Sequence, residues 1–61
     1  SEAIYDRIGE LAEMSGTSRK SIVQTALALM DWAVSQRMEE RAICSMGSED
    51  DIRELEWPFN S

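Results

Sequence analysis

The sequence predicts a mainly α fold: two helices followed by a C-terminal β-hairpin, with a second copy of the chain completing the core. Three observations predict it. From Leu11 to Met30 a helical pattern stops at a glycine and resumes at once. The second helix then carries an apolar arc too wide for a lone surface helix. Beyond it, two strand-like runs flank a Gly/Ser/Asp loop.

The first helix is expected over about residues 2–15. Ile4, Ile8 and Leu11 recur at helical spacing, with Tyr5 and Ala12 beside them. Glu2 and Asp6 fall in the first turns, where acids complement the helix dipole. Gly9 sits inside the pattern and weakens it slightly. The helix should stop at Ser15-Gly16, because glycine readily takes the left-handed conformation of a helix C-cap.

The second helix is expected over about 18–39, with Thr17 or Ser18 as its cap. At about 100° per residue, Ile22, Ala26, Leu29 and Ala33 share one stripe, and Val23, Leu27, Met30 and Val34 the adjoining one. Trp32 widens the arc further. A helix this apolar should be packed on two sides, the second being the same helix of another subunit. The dimer core is therefore assigned to Ile22, Ala26, Leu29, Met30, Ala33 and Val34.

The helical pattern fades between Arg37 and Arg41. A hairpin is expected over about 42–57, with Ala42–Met46 and Ile52–Trp57 as its arms. In the second arm Arg53, Leu55 and Trp57 alternate with Glu54 and Glu56. Pro58 should end that arm, since it cannot donate to a ladder, while Phe59 packs back. Cys44 reads as a buried small hydrophobe. Met14, Met30, Met38 and Met46 read as core fillers, and Trp32 and Trp57 as packing residues.

At 61 residues the chain makes one small domain, 1–61, and a lone monomer of this size is marginal. Small folds add disulfides, a metal or a second subunit. Cys44 has no partner cysteine, and without His the usual zinc sets cannot be assembled. Oligomerisation remains. A lone thiol fits a reducing cytoplasm. No apolar run has membrane-spanning length, and the N-terminus lacks the pattern of a secretory signal, so no membrane association is expected.

The net charge of −6 is uneven. Residues 1–38 carry four basic and five acidic side chains, net −1; residues 39–61 carry two and seven, net −5. The acidity belongs to the tail, and the helical part is free to present a local basic spot. Thr17, Ser18, Arg19 and Lys20 form that spot. Helix N-termini offer unpaired N–H groups and partial positive charge to anions, and Arg19 and Lys20 add full charges. The same four residues also read simply as a cap with two solvated cations.

The segment from Leu11 to Val23, with Ala26-Leu27, resembles the ribbon-helix-helix family of bacterial transcription regulators, many of them antitoxins or plasmid-control proteins. The resemblance spans about residues 4–36. It implies an intertwined homodimer in which Thr17, Ser18 and Arg19 anchor a DNA phosphate, and it admits a partner protein such as a toxin. Phosphate contacts fix position without reading sequence. Family members read bases with a strand before the first helix. This sequence opens on the first helix, so no residue here is assigned to base reading. The hairpin is additional to the minimal family pattern, and Glu54 and Glu56 would repel phosphate.

No catalytic residue, cofactor or metal site is assigned. Without His, a Ser or Cys nucleophile lacks its commonest base, and a domain this small has little room for a cleft. Glu49-Asp50-Asp51 lacks the ligand spacing of a calcium loop. Two functions are kept: the dimeric DNA-binding regulator or antitoxin-like protein that the resemblance implies, or a homodimeric interaction module without DNA binding.

Overall fold

A computed structural model describes residues 1–60. Helix α1 spans Glu2–Ser15 and helix α2 spans Arg19–Met38; strands β1 (Cys44–Met46) and β2 (Ile52–Glu54) follow. The expected order of elements is therefore observed, with shorter strands. The chain forms two compact units, Ser1–Asp31 and the part from Trp32 onward.

In the first unit, α1 ends as the sequence predicts. Gly16 adopts φ +66° and ψ +35°, the left-handed region that a side chain disfavours. Its N–H donates to the Glu13 carbonyl (3.2 Å), and the Thr17 N–H donates to the Ala12 carbonyl (2.9 Å). These two bonds satisfy carbonyls that the helix end would otherwise leave open. Ser18, rather than Thr17, caps α2: its Oγ accepts from the Ser21 N–H at 3.1 Å. Ala12 is buried, and Ile8, Leu11 and Ile22 are half-buried.

In the second unit, β1 and β2 pair antiparallel, with Cys44 opposite Glu54, Ser45 opposite Arg53 and Met46 opposite Ile52. Pairing extends one step each way, through Leu55 N–H to the Ile43 carbonyl and Gly47 N–H to the Asp51 carbonyl, both 2.7 Å. Strand β2 stops at Glu54, before Pro58 can act as its terminator. Trp57 instead packs edge-on against Phe59, ring centroids 5.5 Å apart. The Arg37 guanidinium lies 5.5 Å from the Trp57 ring.

Three burial expectations are corrected. Cys44 is exposed, because all three residues of β1 lie open on a sheet of only two strands. Met14, Met30, Met38 and Met46 are exposed rather than filling a core. Trp32 is about half exposed, at 51%. The cause is common to all: Ala12 and Ala33 are the only buried hydrophobic side chains among the described residues. One chain lacks the layers to cover its own apolar surface.

Candidate nucleic-acid interface

The start of α2 brings Thr17, Ser18, Arg19 and Lys20 to one open hollow of about 670 Å³. Their availability differs. The Thr17 N–H is already committed to Ala12. The Ser18 hydroxyl caps Ser21 and donates to its Oγ at 3.1 Å. The backbone N–H groups of Ser18, Arg19 and Lys20 find no protein acceptor among the described residues. Those three N–H groups are the donors that a helix start turns toward an anion.

Arg19 is held rather than waving. Its guanidinium carbon lies 4.2 Å from the centroid of the Tyr5 ring on α1. Its Nε donates to the Tyr5 carbonyl at 3.5 Å, a long bond. Arg19 also crosses α1 over Gly9, where a Cβ would meet its Cζ at 2.8 Å. The sequence reading missed both α1 residues. A signal was present: Tyr5 and Gly9 are one helical turn apart, and an interior glycine often marks a close approach.

The hollow is not uniformly basic. Asp6, Glu10 and Glu13 from α1 line it as well. Glu10 is partly occupied, pairing with Arg7 at 3.3 Å on the exposed helix surface. Among the described residues neither Arg19 nor Lys20 comes within ion-pair distance of a carboxylate. Two cations and three free N–H groups thus stand beside three carboxylates, which oppose an approaching anion.

The residues assigned to the dimer core divide by exposure. Leu29 (62% exposed), Met30 and Val34 offer apolar surface, and Ala26 is exposed beside them. Ile22 is half-buried, and Ala33 (7% exposed) is already covered by its own chain. Val23 and Leu27 on the adjoining stripe are open too.

Among the described residues no cluster of three His, Cys, Asp or Glu side chains is placed to hold a metal ion. No helix there is long and apolar enough to cross a membrane. Comparison with protein-family models, curated proteins and solved structures finds no match. The functional reading rests on this chain's own residues.

Proposed function

We propose that this protein is a homodimeric DNA-binding regulator of the ribbon-helix-helix kind that its Leu11–Val23 segment resembles, and that the start of α2 clamps DNA phosphates. The observation carrying this reading is the helix start itself. It combines unpaired N–H groups at Ser18, Arg19 and Lys20 with two cations that form no ion pair with a carboxylate among the described residues. Such a set suits a phosphate in position and in charge.

The dimer is supported by surface. Leu29, Met30 and Val34, with Val23 and Leu27, supply an apolar face for a second copy to cover.

The test is salt dependence. Two phosphate contacts per protomer make four per dimer, and each contributes about −0.9 to the slope of log affinity against log salt. Affinity should then fall about a hundredfold between 50 and 200 mM salt. Changing Arg19 and Lys20 to Ala should flatten that slope. An affinity that does not change with salt would sink the reading.

A second reading, a homodimeric protein-interaction module without DNA binding, is favoured by Asp6, Glu10 and Glu13 in the hollow. It predicts no DNA binding for the R19A/K20A variant to lose, together with an intact dimer.

A further inference from the structure

We propose that Tyr5 and Gly9 are positioning residues that hold Arg19 ready for phosphate. The proposal rests on the phosphate reading above. Three independent contacts place the guanidinium across α1. The Tyr5 ring lies beneath it at 4.2 Å. The Tyr5 carbonyl accepts from Nε. Gly9 leaves open the space that a Cβ would occupy against Cζ, at 2.8 Å.

The cradle has a consequence for charge. Asp6, Glu10 and Glu13 line the same hollow, and any of them is a natural partner for an arginine. Stacked on an aromatic face, Arg19 stays outside their ion-pair range. A side chain already ordered also loses less freedom on binding than a free one. Glycine is a poor choice for a helix interior on propensity alone. At position 9 it leaves the guanidinium its place, and a Cβ there would push the flexible end of Arg19 aside.

Tyr5 is more than half exposed, so its ring can be changed without opening a core. The experiment compares wild type, R19A, G9A, G9A/R19A, Y5F and Y5L for binding to a 30-base-pair duplex of mixed sequence across a salt series. R19A removes one contact per protomer, and its salt slope should be shallower by about 1.8. G9A should move to the R19A value, and G9A/R19A should be no worse than R19A alone, since both changes remove one interaction. Y5F keeps the ring and should bind as wild type; Y5L loses the aromatic face and should follow R19A. In the free protein, the Arg19 Nε–H resonance should lose its aromatic ring-current shift in Y5L and keep it in Y5F, a readout independent of DNA.

Wild-type slopes for both G9A and Y5L, beside a reduced slope for R19A, overturn the cradle and leave the phosphate reading standing. An R19A slope equal to wild type overturns both. Should G9A fail to fold, the Y5F and Y5L pair decides alone.

Discussion

The turn between α1 and α2 places Gly16 at φ +66°, whereas the turn between β1 and β2 places Glu49 and Asp50 at φ +47° and +38°. The second turn has a glycine as well, Gly47, but it does not take the left-handed conformation. Gly47 N–H donates to the Asp51 carbonyl, so the loop proper is residues 48–50, and a three-residue hairpin loop takes positive φ at its αL position, which Gly usually fills. An L-residue there costs roughly 1–2 kcal/mol, less for Asp than for Glu. Each residue of the helix–helix turn suits its backbone. The hairpin turn carries strain on a sheet of only two strands, which is marginal in itself. The difference separates a junction specified by its own residues from one that needs outside support.

Substitutions at four positions probe that contrast, each read by thermal melting at one fixed protein concentration. Gly16→Val should be the most damaging, because a β-branched residue is forced to positive φ. A loss of about 2 kcal/mol is expected, and an unchanged melting temperature would mean that the turn tolerates side chains after all. Ser18→Ala removes the cap of α2 and should lower stability by about 1 kcal/mol; Ser18→Asp, which still accepts from the Ser21 N–H, should restore it. Glu49→Gly should act in the opposite direction. Relief of strain, reduced by glycine's greater entropy when unfolded, leaves a gain of about 0.5 kcal/mol. A loss there would show that Glu49 makes a contact outweighing its strain. Gly47→Ala should change least, within about 0.5 kcal/mol. The new Cβ would meet mainly Asp51 Oδ2 at 2.7 Å, the mobile end of a side chain.

What was legible in the sequence follows the same division. The end of α1 at Gly16 and the start of α2 near Ser18 obey rules that act within a few residues, and both could be read directly. The order helix, helix, hairpin was readable from periodicity for the same reason. The exposure of Cys44 and of the four methionines was not, because burial depends on how many layers the chain assembles. Strand β2 ends at Glu54 because pairing runs out after Leu55, not because of Pro58. At the candidate site, Thr17 to Lys20 could be named from residue type and position. Their setting could not. The Tyr5–Arg19 contact spans fourteen positions, and no local rule links an aromatic on one helix to a cation on the next. Gly9 showed in the sequence as a weakness of α1, and only the packing of Arg19 gives it a purpose.

That Ala12 and Ala33 are the only buried hydrophobic side chains among the described residues bears on how long a molecule of this protein survives. Little apolar area is removed from water inside one chain, so the proposed dimer must supply most of the stabilisation. Folding then obeys mass action. Dilution acts like a denaturant, and freshly made or scarce chains spend more time open to proteases than abundant ones do. With the proposed dimer, the protein's half-life would depend on its own concentration, and a partner covering the same α2 face of the folded chain would stabilise it in the second copy's place.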